Sequence, residues 1–405
     1  MSVRKVLFIG LVWPEPRSSA AGWRILQLIE LFRVMNYQIH FASTAQKTPY
    51  SYDLAKDGVI EQSILLNDAS FDDYIKKLNP EMVVFDRFMV EEQFGWRVKE
   101  QCPTTIRILD TEDLHFVRRS RELAYKKDVA VDFSNSDDFK REMASIYRSD
   151  LSLIISAFEM ELLQNEFKLN ANQLCYLPLL EKPNETYLPE FEKRKDFCFI
   201  GNFIHEPNYQ TVILLKKLWP KIRKALPKSE LHIYGAYATA KVKQLHQPKD
   251  GFLINGRAED ARETLQHYRL LLAPIPFGAG LKGKFIDAMA VGTPNICSSI
   301  GAEGIVHDEW AGTVTDTDEE FIEKSVALYQ DKKQWLEKQK IGINILRTNF
   351  DFDHYKNKFE KQIEDLRLNI TKFRKQNFVG EILWFENNLA TKYLAKWIEE
   401  KNKKP

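Results

Sequence analysis

The chain has 405 residues, 44% of them hydrophobic and 28% charged, with a formal net charge of +1. That length exceeds one ordinary hydrophobic core and predicts two domains. The near-zero charge excludes a global field that would recruit nucleic acid, and the scattered Cys102, Cys175, Cys198 and Cys297 exclude a disulfide framework or a thiolate metal site.

Val6–Gly10 is a short apolar run, too short for the core of a signal peptide. It predicts a first strand, followed by a Pro/Ser/Ala loop and a helix over Gly22–Met35. Strands follow at Gln38–Ala42, Met82–Phe85, Thr104–Leu109 and Leu151–Ile155, with helical patterns between them, the signature of a parallel sheet. Residues 112–150 are polar and read as a loop with a mobile helix. In the first loop, small residues Ser18–Gly22 let a ligand approach the backbone. Arg24 either faces a phosphate or pairs with an acid. The loop after Leu109 gathers Asp110, Glu112, Asp113, His115, Arg118, Arg119 and Arg121. At the carboxyl end of a parallel strand such a group faces the ligand crevice. His115 is there a partner for a sugar hydroxyl or phosphate, or else a packing residue.

Pro178, Pro183 and Pro189 break the pattern and predict a semi-rigid linker. A second α/β series then begins. Strands are expected at Asp196–Ile200, 230–234, Gly251–Asn255, 269–275 and 294–298, with helices at 208–224 and 258–267. The loop after Ile200 carries Asn202, His205 and Asn208, of which Asn208 reads equally well as a helix cap. Asn255–Asp260 offers backbone to a nucleobase edge.

Phe277-Gly-Ala-Gly-Leu-Lys-Gly-Lys-Phe-Ile-Asp-Ala-Met-Ala-Val-Gly-Thr-Pro294 is the most informative run. A glycine loop entering a helix N-terminus presents N–H groups and a positive dipole end to an anion. Lys282 and Lys284 add point charges suited to a diphosphate. Asp287, one turn into the helix, is placed to accept from ribose hydroxyls. There is no Walker phosphate loop, no His-Glu-x-x-His and no Gly-x-Gly-x-x-Gly after the first strand. Asp72-Asp73 and Asp137-Asp138 read as solvated faces.

After about residue 317 the pattern is helical. Phe378, Ile382, Phe385, Leu389, Tyr393 and Trp397 recur at three- and four-residue steps and define an apolar face. Packing of this face on the first domain is expected. A basic amphipathic helix lying on a membrane is the alternative, since Lys401, Lys403 and Lys404 follow, although Glu381, Glu386, Glu399 and Glu400 dilute the charge. No apolar stretch is long enough to span a bilayer, and a cytoplasmic protein is expected, at most touching the inner membrane face.

Two α/β sheets, a cleft, an end helix and the Gly-Ala-Gly-Leu-Lys-Gly-Lys…Asp-Ala-Met-Ala-Val-Gly-Thr-Pro run resemble a GT-B glycosyltransferase of the retaining family-4 group (glycosyl transferases group 1). The likeness is strongest over residues 196–310, including Phe199-Ile-Gly-Asn-Phe-Ile-His-Glu-Pro-Asn208 and Gly301-Ala-Glu-Gly-Ile305. It is looser in the first half, through the Gly22–Arg24 loop, Asp113-Leu-His115 and Ile155-Ser-Ala-Phe-Glu159. It implies two Rossmann-like domains facing a cleft: an acceptor domain over residues 1–185, a nucleotide-sugar domain over 186–372, and a helix over 373–405 returning to the first. It implies transfer of a sugar from a nucleoside-diphosphate sugar to a hydroxyl acceptor (glycan, lipid-linked or other), with retention, no metal and no further cofactor. His115 and Glu303 become the catalytic candidates. Gly22, Arg24, Asn202, His205, Arg257, Gly280, Leu281, Lys282, Gly283, Lys284 and Asp287 become the donor-binding set, with Arg257 by the base and Asp287 on the ribose. The chain departs from the family at Ala279, where many members carry an acid, and at Asn202 and Pro207, where many carry an Arg/Lys pair. The diphosphate then depends on Lys282 and Lys284. A nucleotide-sugar epimerase on the same scaffold and a non-catalytic nucleotide or sugar binder are the competing readings.

Overall fold

A computed structural model describes residues 3–182, 188–305 and 309–402, and the side chains of all of these except 386–389. Pro183, Lys403 and Lys404, and the side chains of Glu386 and Leu389, lie outside the described residues.

The first domain contains strands β1 (Lys5–Gly10), β2 (Gln38–Ser43), β3 (Ile60–Ser63), β4 (Met82–Asp86), β5 (Ile106–Asp110), β6 (Leu151–Ile154) and β7 (Leu174–Tyr176). Its helices are α1 (Ala20–Val34), α2 (Ser70–Leu78), α3 (Phe88–Gln101), α4 (His115–Lys127), α5 (Asp137–Arg148) and α6 (Ala157–Glu161). The seven strands are all parallel, in the order 3-2-1-4-5-6-7. Strands β4 to β6 are buried at every residue, as expected where helices cover both faces of a parallel sheet. Residues 112–150, expected to be a loop with a mobile helix, form two packed helices, α4 and α5, and no strand. Polar composition hid their amphipathic faces: Phe116, Val117 and Ala124 on α4, and Met143 and Ile146 on α5, enter the core.

The second domain carries α7 (Glu206–Ala225), α8 (Ala240–Lys243), α9 (Ala261–Leu265), α10 (Gly283–Ala290), α11 (Ser299–Ala302), α12 (Asp318–Gln330) and α13 (Lys332–Asn349). Its strands are β8 (Lys195–Ile200), β9 (Leu231–Tyr234), β10 (Phe252–Gly256), β11 (Tyr268–Ala273), β12 (Asn295–Ser298) and β13 (Gly312–Thr315). They too are parallel, in the order 10-9-8-11-12-13. In each sheet the chain reverses its direction of growth beside the first strand, which opens a ligand crevice at the carboxyl ends.

The chain crosses between domains twice, side by side. Glu181 bridges to Asp351, with Glu181 N–H donating to the Phe350 carbonyl at 2.6 Å and Phe352 N–H to the Glu181 carbonyl at 2.8 Å. The segment expected to be a linker is anchored: Leu177, Leu179 and Leu180 are buried. The return to the first domain starts with α14 (Phe352–Gln376), earlier than residue 373. Phe352, Tyr355, Phe359, Ile363 and Leu366 join the core built on Val6, Phe8 and Phe32, and Phe359 meets Phe32 edge-on at 5.6 Å.

The last helix, α15 (Phe378–Asn402), packs on α3 and α5 but not through the face expected. Trp384 and Ala395 are the buried residues, clustered with Trp96. Phe378, Ile382, Phe385, Tyr393 and Trp397 point to solvent. The indole of Trp384 donates to the Arg148 carbonyl at 3.0 Å and lies under Lys99 and Arg107. One tryptophan ringed by cations therefore fixed the seat of this helix, where a count of apolar spacing favoured the opposite side.

Candidate active site

The cleft between the two sheets encloses about 830 Å³. Its walls come from segments that follow strands: Leu11 after β1, Arg87 after β4, Glu112 and Asp113 after β5, Gly201 and Asn202 after β8, Arg257 after β10, and Ile275–Lys284 after β11.

On the second-domain side, the glycine loop runs into α10. Gly280 has φ +62°, and a Cβ there would come within 2.7 Å of the Asp113 Cβ, so this position requires glycine. Gly283, the first residue of α10, lies so close to Ala20 of α1 that an added Cβ would stand 2.8 Å from the Ala20 methyl. Lys282 Nζ donates to the Gly280 carbonyl at 3.0 Å, and Lys284 Nζ donates to Asn208 Oδ1 at 2.7 Å. Neither lysine forms an ion pair among the described residues. Desolvation by the cleft walls lowers Lys282 to about 8, against the pull of Glu303, and lowers Lys284 to about 7, with Lys282 adding repulsion. Such cations gain from any anion placed between them. Asn208 is the third residue of α7 rather than its cap, and it serves as the acceptor for Lys284.

Asp287 lines the cleft and pairs with Arg262 at 2.8 Å. Arg262 also grips Glu181 of the first domain. Burial holds the Asp287 carboxyl above its ordinary value, with Arg262 opposing. Arg257 stacks over Tyr50 at 4.3 Å and reaches Ser18 Oγ at 3.4 Å. Asn202 accepts from Ile204 N–H and donates to the Ser18 carbonyl. His205 stands in the cleft wall near Arg118 and Asp113, and desolvation together with Arg118 keeps its imidazole below the ordinary value.

On the first-domain side, His115 begins α4 in the cleft wall. Its Nδ1 lies 3.2 Å from the Asp113 carbonyl and 3.5 Å from Glu142 Oε1, and its ring meets Phe88 edge-on. Asp113 is held below the usual carboxylate range: Arg118, His115 and His205 together outweigh the opposing effect of burial. Glu112 is pushed up to about 8 by burial and by Asp110, and its Oε1 has no partner. Glu112 and Arg87, both in the cleft wall, adopt φ +60° and +74°, a strain that concentrates at ligand-binding sites.

Three donor or catalytic candidates lie elsewhere. Arg24 is buried and turned away from the cleft, clasping Asp110 at 2.9 Å and donating to the carbonyls of Leu177 and Pro178. Of the two roles open to it in the sequence, pairing with an acid is the one seen. Gly22 lies behind the cleft wall, where an added Cβ would strike the backbone of Glu15 at 2.5 Å. Glu303 is taken up by Arg121 of α4, with bonds of 2.6 and 2.7 Å. Arg121 also donates to the Gly278 carbonyl at 2.8 Å, so the pair clamps the domains together behind the glycine loop.

Glu159, which closes the run Ile155-Ser-Ala-Phe-Glu159, has no role assigned from the sequence. Glu159 is fully buried, and its Oε1 accepts both Leu114 N–H at 2.9 Å and Gly280 N–H at 2.8 Å. Its other oxygen has no partner, and burial with nearby Asp113 raises the carboxyl to about 8. The spacing Ser156-x-x-Glu159 is a helix capping pattern. Ser156 does cap α6, but Glu159 reaches across to the other domain.

Residues 194–331 match the model of the family "glycosyl transferases group 1". A search of curated protein sequences finds no match. Among solved structures, the chain is similar to sucrose-phosphate synthase from Thermosynechococcus elongatus (TM-score 0.66, 14% identity, covering 90% of this chain and 99% of that one). It is similar also to WaaG, a glycosyltransferase involved in lipopolysaccharide biosynthesis (TM-score 0.62, 11% identity, 88% and 98%). A third similar structure is HepE of Anabaena in complex with UDP and glucose (TM-score 0.64, 12% identity, 90% and 100%). With its two facing parallel sheets the chain has the GT-B fold, and the domain that carries the glycine–lysine loop matches the glycosyl transferases group 1 family.

Proposed function

We propose that the enzyme moves a sugar from a nucleoside-diphosphate sugar to a hydroxyl acceptor, with retention at the anomeric carbon and without a metal ion. The observation that carries this reading is the pair Lys282 and Lys284 at the N-terminus of α10. Both cations are desolvated, lack a carboxylate partner among the described residues and face the cleft. A leaving diphosphate gathers negative charge as the glycosidic bond breaks, and preorganised cations and helix N–H groups stabilise that charge. In this reading Asp287, on the same helix and paired with Arg262, takes the ribose, and Arg257 on its tyrosine shelf takes the base. The acceptor enters over the first-domain wall, where Glu112, Asp113 and His115 offer hydrogen-bonding groups. HepE, similar in fold, was crystallised with UDP and glucose, which supports this class of donor. The retaining outcome rests on the likeness to family-4 enzymes. The one group of metal-ligating side chains among the described residues, Asp196, Glu230 and His232, stands near the amino ends of β8 and β9, away from the cleft.

The test is a panel of UDP-, GDP- and ADP-sugars offered to the protein in excess chelator, with a range of sugar and lipid-linked acceptors. NMR would read the anomeric configuration of any product. A new glycosidic bond of the donor's own configuration is expected. Conversion of the donor with no acceptor present would identify an epimerase instead, and saturable nucleotide binding with no turnover on any pair would leave a binding protein.

A further inference from the structure

The outer side of α15 carries a stripe that the fold does not cover. Phe378, Ile382, Phe385, Tyr393 and Trp397 are each more than half exposed, from 55% to 72%. The helix is nonetheless firmly seated. Trp384 is buried beneath it, and three ion pairs bind it to α3: Lys99–Glu381 at 3.1 Å, Lys392–Glu100 at 2.8 Å, and Arg97–Glu399. Scattered exposed hydrophobics need no explanation, but five large apolar side chains along one anchored helix do.

Two features identify what covers it. The first is charge. In sequence, four acids of α15 dilute its basic character; Glu381 and Glu399 are spent on Lys99 and Arg97 of the first domain, Glu400 is exposed, and the Glu386 side chain lies outside the described residues. Lys396 and Lys401 remain on the exposed part of the helix, and Lys372 and Lys375 are exposed at the adjoining end of α14. Lys401 lies over the Trp397 ring at 5.3 Å. The second feature is spacing. A paired helical seam needs apolar residues every 3.5 positions on average. Continued from Phe378, Ile382, Phe385 and Leu389, that seam would next place Lys392 and Lys396 at its centre. The apolar residues fall instead at Tyr393 and Trp397, so the steps beyond Phe385 are all of four residues and the stripe winds away from such a seam. Aromatic side chains on such a face, flanked by lysines, match the headgroup layer of a bilayer, where Tyr and Trp bury a ring and keep a polar edge wet.

We propose that α15 is a membrane-surface anchor that lays this stripe on an anionic lipid leaflet, with the first domain against the bilayer. No helix among the described residues is long and apolar enough to cross a membrane, so the contact is a lateral one. It does not depend on the reaction assigned to the cleft.

The test is co-sedimentation of the full chain with vesicles of phosphatidylcholine alone, or mixed with phosphatidylglycerol. Wild type should bind the mixed vesicles and bind the neutral ones less. The variant Phe378→Ser/Phe385→Ser/Tyr393→Ser/Trp397→Ser removes exposed groups only, so its melting temperature should be kept while its binding falls by more than about tenfold. The variant Lys396→Glu/Lys401→Glu should lose preference for the anionic vesicles and retain the fold. Equal sedimentation of wild type and the serine variant would overturn the proposal. So would a wild type that elutes as a dimer while the serine variant elutes as a monomer, because the stripe would then be covered by a second copy.

Discussion

Glu159 and Gly280 meet across the cleft: a carboxyl oxygen of the first domain accepts the N–H of the glycine loop at 2.8 Å. The same oxygen holds the N–H of Leu114, next to His115. One buried carboxyl therefore ties the first-domain wall of the cleft to the glycine loop. Glu159→Ala would leave two N–H groups without their acceptor, at about 1–3 kcal/mol each. We expect lower stability and a fall in kcat/KM of at least about tenfold, with Glu159→Gln recovering most of the stability. Denaturant melts and steady-state kinetics on the three proteins check this. Unchanged kinetics in the alanine variant would show that the contact is incidental.

The raised carboxyls of Glu159 and Glu112 also predict a pH effect. Each sits at about 8 in the fold, above the ordinary glutamate value. The folded chain therefore holds protons that the unfolded chain has released, and the stability so gained is lost as pH rises toward 8. Melting temperature should decline between about pH 5 and 8, with a shallower decline for Glu159→Gln. A parallel decline in both proteins would exclude Glu159 as a source.

The two lysines make donor affinity depend on pH with the same sign but for a different reason. Lys284 at about 7 and Lys282 at about 8 lose protons over the neutral range, while a diphosphate binds the charged forms. Binding should take up protons, and affinity for a nucleoside diphosphate should weaken from pH 6.5 to pH 9, by up to about tenfold through Lys282 and more through Lys284. Calorimetry in buffers of differing ionisation enthalpy measures the uptake. Lys282→Ala and Lys284→Ala should each weaken binding and flatten the profile.

The Arg121–Glu303 pair clamps the domains with little solvent access. Removing one partner of such a pair leaves a buried charge unmatched, at about 3–5 kcal/mol. Arg121→Ala should therefore destabilise more than Arg121→Ala/Glu303→Ala does, and both should widen the molecule in small-angle scattering. A closed molecule in both variants would show that other contacts, such as Tyr237 with Glu15, suffice.

Arg24 separates a structural role from a ligand role. Arg24→Ala should lower stability by about 3–5 kcal/mol, because Asp110 and the Leu177 and Pro178 carbonyls lose their donor. Nucleotide affinity of the folded fraction should stay near wild type. A selective loss of affinity with an unchanged melt would restore Arg24 to the donor site.

The alternation of strands and helices was readable because parallel strands covered on both faces are near-continuous apolar runs, as at Met82–Asp86. The glycine–lysine loop was readable because glycine and lysine are placed there by local geometry. What depended on distant partners was not. Arg24 has the sequence of a phosphate ligand but finds Asp110 across the sheet. Glu159 has the spacing of a cap but finds Gly280 in the other domain. The orientation of α15 was lost for a related reason: its buried side is Trp384 and Ala395, held by cations of α3, β5 and α5, and apolar periodicity does not register such a seat.

The double crossing at Glu181 and Asp351 has a consequence for biosynthesis. Residues 3–182 leave the ribosome first, yet their core is unfinished without Phe352, Phe359, Ile363 and Leu366. The first half must wait, partly open, while the whole second domain is made. Its apolar surface is exposed for that interval, and a growing chain stalled before residue 352 should engage chaperones more strongly than one stalled after residue 376.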